Sequence, residues 1–353
     1  MSNKVNQISS LYKEKNLDGI LITSPANISY LTNYLSRDSW LLLSKKGNYY
    51  LTDSRYTAEA NKYLKPVFLV KQINGTGNEC LKKLSRQLKL KNLGFEGRHL
   101  TYAQYHRLSQ SLGKTVNLVH THNLVEDLRQ VKSADEIEKI RFATKITVNA
   151  LNFIRDFIQP GKSEIEIAGE LERFIRYNGG MGSAFNIIVA SGPNSAFAHH
   201  ITSSRIIGKN ETVLIDVGAE FQGYKSDLTR VFFSGKIPFL AQRVYAIVLK
   251  AQKEAIRRIK PGVSTAKIDQ AARQIIAKNG LAKAFGHNLG HGLGLEVHES
   301  PSISSASASV LKKNMVFTIE PGIYLPGKFG IRIEDVILVT QKGVEILSGS
   351  LNK

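Results

Sequence analysis

One cysteine, Cys80, is present in 353 residues. A lone cysteine excludes an internal disulfide framework and suits a reducing compartment, where Cys80 reads as a small core residue. Long apolar runs are also missing: none approaches 18 residues, so no membrane span is expected. The opening MSNKVNQISSLYKEKN carries charges throughout and has no apolar stretch of signal-peptide type, so the expected location is cytoplasmic. Acidic residues are scarce beside basic ones, 29 against 48, for a formal net charge of +19. Residues 1–124 hold 18 basic against 7 acidic residues, and residues 125–353 hold 30 against 22. Such a balance favours anionic partners, nucleic acid or a membrane surface among them. However, the basic residues are scattered, with no run longer than two and no nucleic-acid motif such as an RRM signature. The charge is therefore read as a basic surface, with neither membrane nor nucleic acid as the expected partner.

What is present is enough chain for two domains and a sizeable core, at an ordinary 42% hydrophobic content. In the first 120 or so residues, DGILIT (18–23), WLLLS (40–44), NYYLTD (48–53), VFLVK (67–71) and LGFEG (93–97) read as strands bounded by turn formers. VNQISSLYKEKN, SRYTAEANKYL and TYAQYHRLSQSL read as helices between them. This pattern predicts an α/β domain with a mixed sheet, ending near Leu124. After it, Ser133 and Glu136 form a capping box that opens a long helix, with Ala150, Leu151, Ile154 and Ile158 on one face and Pro160-Gly161 at its end. Ser163 with Glu166 starts a second helix, which stops at Gly179-Gly180.

The pattern then recurs. IQPGKSEIEIAGELERFIRYNGG (158–180) aligns with IKPGVSTAKIDQAARQIIAKNGL (259–281), and KNETVLIDVG (209–218) with KNMVFTIEPG (313–322). The second alignment sets Asp216 on Glu320, and the next strand of each half carries Asp227 and Glu334. A repeat that superposes acid on acid predicts two related halves facing each other across one site.

Asp216 and Asp227 flank a turn at Ala219 to Gly223, and a hairpin would bring both carboxylates to one end on the same face. An unpaired carboxylate in the apolar setting of VLID would be costly. Read alone, the pair fits a turn aspartate plus a surface salt bridge as well as it fits a pair of metal ligands. Glu334 beside Arg332 in IRIED likewise fits a surface ion pair. GHNLGHGLGLEVHESP (286–301) adds His287, His291 and His298 in a glycine-rich frame that allows close backbone approach. It is not a zincin helix, because VHE runs into Ser300-Pro301. Four carboxylates and one imidazole, Asp216, Asp227, His291, Glu320 and Glu334, suit a pair of divalent ions such as Mn²⁺, Co²⁺ or Zn²⁺.

The set, in this order, resembles the pita-bread metallopeptidase family of methionine aminopeptidases, aminopeptidase P and prolidase, and is nearest to the last two. The likeness spans nearly the whole chain and is most specific in LIDVG, KSDLTR, LGHGLGLEVHE, TIEPG and RIED. YLTNY (30–34) and TDSRY (52–56) add weaker signals from the N-terminal part. Creatinase shares the fold without the metal set, which is kept here. The resemblance implies an α+β chain: an N-terminal α/β domain of the creatinase/prolidase, RNase H-like type (1–124), then a pseudo-two-fold pita-bread catalytic domain (125–353). It further implies two divalent ions, Mn²⁺ foremost, on Asp216, Asp227, His291, Glu320 and Glu334. Glu334 would bridge them and Glu320 would double as general base. His298 and His199 would handle the oxyanion and protons, with His287 lining the site and Arg332 steadying the carboxylates. ASGPNSAFAHH departs from the family's Pro-His-Gly ending: His200 stands at the glycine position, and the alignment selects His199. The activity implied is hydrolysis of N-terminal X–Pro bonds in short peptides through attack by a hydroxide between the ions. An aminopeptidase is preferred on TDSRY and a dipeptidase is the alternative. A non-enzymatic binding protein on the same fold is a further one, opposed by the intact ligand set. The resemblance also implies a homodimer in which the N-terminal domain restricts peptide length.

Overall fold

Residues 3–353 are described by the computed structural model, and the chain divides into two compact units, one ending at Arg129 and one spanning Gln130–Lys353. In the first unit the elements run α1 (Asn3–Glu14), β1 (Gly19–Ile22), α2 (Pro25–Thr32), β2 (Ser39–Ser44), β3 (Gly47–Thr52), α3 (Ser54–Leu64), β4 (Leu69–Gln72), α4 (Gly77–Leu88), β5 (Asn92–Glu96), α5 (Tyr102–Leu112), β6 (Asn117–Thr121) and α6 (Glu126–Arg129). The strands make one mixed sheet in the order β4-β3-β2-β1-β5-β6. Only β1–β2 and β2–β3 are antiparallel; β2 and β3 are joined by a tight hairpin, and β1 and β2 by a longer connection that carries α2.

The expected strands and helices are present, and the sequence reading lacks α2, α4 and β6. β6 is an edge strand whose Asn117 and His120 are exposed, so its apolar signal shrinks to two residues. For α4 the signal exists: Leu81, Leu84 and Leu88 share one buried face behind a Thr76/Glu79 capping box. The expected boundary at Leu124 and the division after Arg129 bracket α6. Asn27 in α2 donates to Glu126 (2.8 Å) and accepts from Arg129 (2.7 Å), which ties α6 to the first unit.

The second unit continues with α7 (Ala134–Ile154), α8 (Glu164–Tyr177), β7 (Gly182–Ser183), β8 (Ile188–Ser191), β9 (Thr212–Val217), β10 (Ala219–Phe221), β11 (Tyr224–Lys225), β12 (Leu228–Phe233), α9 (Phe239–Arg257), α10 (Thr265–Lys278), β13 (Gly290–Gly292), β14 (Glu299–Ile303), β15 (Val316–Ile319), β16 (Gly322–Leu325), β17 (Phe329–Arg332), β18 (Asp335–Val339) and β19 (Val344–Ile346). Both predicted capping boxes form, Ser133/Glu136 and Ser163/Glu166. One boundary needs correction: α7 ends at Ile154 rather than at Pro160-Gly161, passing into a 3₁₀ turn over 155–157.

The repeat is visible in the backbone. Asn178 and Asn279 cap α8 and α10 with nearly equal dihedrals, and Gly179 and Gly280 follow with φ of 89° and 75°. Ser163 bridges Ile206 as Ser264 bridges Val310. β8-β9-β12 in one half answers β13-β15-β18 in the other. One apolar core lies between α7, α8 and their strands (Leu151, Ile167, Ile215), and a second beneath α9 and α10 (Val248, Ile268, Phe317). Residues alternate along each strand, so Leu214 and Ile215 point into different cores while Asp216 is left at the strand end.

Candidate metal centre

β9 and β12 pair antiparallel with Asp216 opposite Thr229 and Val217 opposite Leu228. The excursion between them is the short β10–β11 ribbon, turned at Gln222 and Gly223, both at positive φ. Asp216 is thus the penultimate residue of β9, and Asp227 immediately precedes β12. A Cβ on Gly218 would lie 1.9 Å from the Ser226 carbonyl oxygen, so only glycine lets the chain cross itself here. β13 lies equally close to β15, where a Cβ on Gly290 would meet the Thr318 carbonyl oxygen at 1.9 Å.

This approach presents His291. Its Nδ1 faces the Gly292 carbonyl oxygen at 3.2 Å, and a carbonyl only accepts, so Nδ1 carries a proton. Nε2 then points to Glu320 Oε1 (3.2 Å) and Asp227 Oδ2 (3.5 Å). Glu320 follows β15, its amide donating to Leu289 O (2.8 Å) and its Oε1 accepting from Thr318 Oγ1 (3.1 Å). Glu334 lies between β17 and β18, and Thr229 holds it twice, through Thr229 Oγ1 to Glu334 Oε2 (2.7 Å) and Glu334 N to Thr229 O (3.2 Å). Arg332 ends β17 and donates to Asp216 Oδ2 (2.6 Å), Thr229 Oγ1 (2.9 Å), Tyr324 Oη (2.8 Å) and Ala198 O (3.1 Å).

A cavity of about 480 Å³ gathers these groups. Asp216, Asp227, His291, Glu320, Glu334, His199, His287, His298 and Arg332 all line it. The size is that of a small-molecule site. The rings of His291 and His298 stand 4.2 Å apart. His287 donates from Nδ1 to Asn288 O (2.7 Å), and its Nε2 lies 3.0 Å from Tyr324 Oη. His200 takes another direction, with Nε2 2.9 Å from Glu164 Oε2, and does not line the cavity.

Charge crowding dominates the electrostatics. Burial, then the charges of Glu334, Asp216 and Glu320, push Asp227 well above the usual carboxylate range. Burial, Glu320 and Asp216 do the same to Glu334. Burial also works on Glu320, but the bond and charge of His291 outweigh it and hold that carboxyl low. In His291 burial lowers the pKa and Glu320 more than reverses it.

The donor set fits a pair of divalent ions. Asp227, His291 and Glu334 each offer one ligand atom within 4.8 Å of the other two. Oδ1 of Asp216 and Oδ1 of Asp227 are buried without a hydrogen-bond partner. A buried anionic oxygen left unpaired is costly, and a cation in the cavity would pair both and reverse the crowding. Two polar residues that tie the site together, Tyr324 and Thr229, are not among those expected from the sequence. Tyr324 joins Arg332 to His287, and Thr229 joins Arg332 to Glu334. Thr229 was reachable from Asp227 by the two-residue period of a strand, whereas the break at Glu320-Pro321 between β15 and β16 leaves Tyr324 without such a signal.

Comparison with known proteins adds a family. Residues 138–341 match metallopeptidase family M24, and residues 4–131 match the creatinase/prolidase N-terminal domain. An Xaa-Pro dipeptidase from Pyrococcus horikoshii is 35% identical over 353 residues, covering 99% of this chain and 97% of its own. The structure of an Xaa-Pro dipeptidase from Bacillus anthracis is similar at 37% identity and a TM-score of 0.95, with 99% and 98% of the two chains covered. That of an X-Pro aminopeptidase from Thermotoga maritima MSB8 is similar at 37% and 0.87, with 96% and 97% covered.

Proposed function

The chain belongs to metallopeptidase family M24, and from that premise we propose that it hydrolyses the bond between an N-terminal residue and a proline in second position. The observation that carries the reading is the pair of orphaned buried oxygens, Asp216 Oδ1 and Asp227 Oδ1, beside His291 Nε2 in one cavity. The names of the similar proteins supply the substrate class. An X–Pro amide has no N–H, so a peptidase that grips that N–H handles it poorly and a dedicated site is useful.

In this reading Asp216, Asp227, His291, Glu320 and Glu334 hold two divalent ions, with Mn²⁺ first and Co²⁺ or Zn²⁺ as alternatives. When bound, the ions supply water activation and Lewis acidity at the scissile carbonyl. Glu320, ionised because His291 holds it low, takes the proton of the attacking water and returns it to the proline nitrogen. His298 and His199 donate to the oxygen on which charge develops. His287, which burial pushes below its usual range, stays neutral and holds Tyr324, while Arg332 keeps Asp216 in position.

Of the two size classes, dipeptides come first. The sequence reading prefers an aminopeptidase, but the relatives at 34–37% identity named for Xaa-Pro dipeptides weigh the other way. The Thermotoga maritima structure supports cutting of longer peptides as the second reading. The test is an assay of the metal-stripped chain, reloaded with Mn²⁺, Co²⁺ or Zn²⁺, on an X–Pro dipeptide and on Gly-Pro-Ala. Metal-dependent cleavage of the dipeptide alone is expected. Equal cleavage of the tripeptide selects the second reading, and cleavage of neither with any ion overturns both.

A further inference from the structure

Glu164 is a fully buried carboxylate outside the cavity, at the first position of α8. Its Oε1 accepts from Ser191 N (2.8 Å), Ser191 Oγ (2.8 Å) and Asn194 Nδ2 (3.0 Å). Its Oε2 accepts from Ser203 Oγ (2.6 Å), Ser203 N (3.1 Å) and His200 Nε2 (2.9 Å). Every donor comes from the segment 191–203, which leaves β8, passes His199 over the cavity and returns. Ser191 and Ser203 stand at its two ends and His200 directly follows His199. One side chain therefore pins both flanks of the loop and the residue next to the cavity histidine. Burial alone would push this carboxyl up, but the donors of Ser203, Ser191, His200 and Asn194 hold it down at about 2. The six donors thus favour the ionised form of the anchor.

The pseudo-two-fold mate isolates what is special here. Thr265 occupies the place of Glu164 in the second half: Thr265 N donates to Ser309 O (3.0 Å) as Glu164 N donates to Arg205 O (3.0 Å). Thr265 Oγ1 donates to Ser307 Oγ at 2.9 Å, where Ser203 Oγ donates to Glu164. Closing the equivalent loop thus requires only a hydroxyl. A buried anion with six hydrogen bonds exceeds that requirement, and it stands in the half that carries His199.

We infer that Glu164 is a positioning residue: through His200 and the two ends of the 191–203 loop, it sets where the His199 imidazole stands over the cavity. This rests on the reading that His199 takes part in X–Pro hydrolysis. It also gives His200, which replaces the glycine of the resembling motif, a role outside the cavity.

The test uses the full-length, Mn²⁺-loaded chain. Glu164→Gln turns half of the acceptor into a donor facing donors. Its expected effect is a fall in kcat of about tenfold or more with KM within about twofold, as misplacement of a reacting group does. Mn²⁺ affinity should not change. In a His199→Ala background the same substitution should alter kcat by less than about twofold, because Glu164 acts only through His199. A merely structural role would lower kcat equally in both backgrounds, and that result, or an unchanged kcat in the single variant, overturns the inference. Ser203→Ala removes one hydroxyl donor and should show a smaller fall with the same dependence on His199, which decides the matter if Glu164→Gln does not fold. Amide hydrogen exchange over 192–203 is independent of activity and should quicken in the variants. If the wild-type chain cleaves no X–Pro peptide, the functional reading falls and this arm alone decides: quicker exchange retains the anchor, and unchanged exchange removes it.

Discussion

Arg332 reaches back 116 residues to Asp216, its Nη2 donating to Oδ2 at 2.6 Å inside the protein. The same guanidinium holds Thr229 and Tyr324, so three elements meet on one planar group. Arg332→Ala leaves Asp216 with one buried oxygen more to satisfy and should cost about 3–5 kcal/mol in the metal-free chain. Arg332→Lys keeps the charge but cannot span the same partners, and should fall between. Urea unfolding measures both. Equal stability of the alanine variant and the wild type would refute the pairing as a support.

Metal binding should follow the cluster. Equilibrium dialysis is expected to find two Mn²⁺ per chain, and fewer in His291→Ala or Glu334→Gln. Saturating ion should also stabilise the wild type, by about 2.7 kcal/mol at a free concentration of 100 times Kd. A chain that binds no divalent ion tightly sinks the reading.

The histidines should separate by role. His298→Ala and His199→Ala are expected to retain Mn²⁺ and to lose about 10²-fold in kcat, since each removes a donor to developing charge rather than a ligand. His200→Ala, which loses one of six bonds to Glu164, should cost less. The reverse order for His199 and His200 would mean that the loop presents the other imidazole.

Stability should depend on pH differently with and without metal. Asp227 and Glu334 have carboxyls raised in the folded state. Such a group takes up a proton on folding, so its contribution is complete below the unfolded value, about 4, and is lost as pH rises through the folded value. The metal-free chain should therefore weaken from about pH 4 towards neutrality, and saturating Mn²⁺ should flatten that decline. Asp227→Asn should raise the neutral-pH melting temperature without metal and lower it with Mn²⁺. Glu164 works in the opposite sense: held at about 2, it contributes above the unfolded carboxylate value and loses that contribution as pH falls towards 2. A melting curve with no metal-dependent pH slope would count against the crowded cluster.

Assembly and size selectivity remain joined as a proposal. Light scattering is expected to give a homodimer, and an X–Pro peptide of ten residues should be cut far more slowly than a dipeptide. A monomer that cuts both alike would remove any need for the first unit in selecting length.

Local signals decided a large part of this protein. The capping boxes at Ser133 and Ser163, the Asn-Gly ends of α8 and α10 and the glycines around His291 are properties of a few adjacent residues, and they are legible in the chain because the forces they answer act over one helical turn or one strand crossing. The internal repeat is legible for the same reason, since each half writes the same local instructions twice. The acid and histidine types of the centre, and the α/β unit before it, follow from those instructions. Edge strand β6 was not legible, because a half-exposed strand has little apolar pattern to show.

Tertiary structure alone decided how those residues are used. Whether Asp216 is a surface ion pair or a buried group with one orphaned oxygen depends on Arg332 and on the fold of both halves around it. That His199 faces the cavity while His200 turns to Glu164 depends on a carboxylate 36 positions away. Tyr324 and Thr229 enter the site through side-chain hydrogen bonds, and those of Thr229 join residues a hundred positions apart. Hydrogen bonds and charge interactions of this kind depend on distance in space, and spacing along the chain carries almost no record of it.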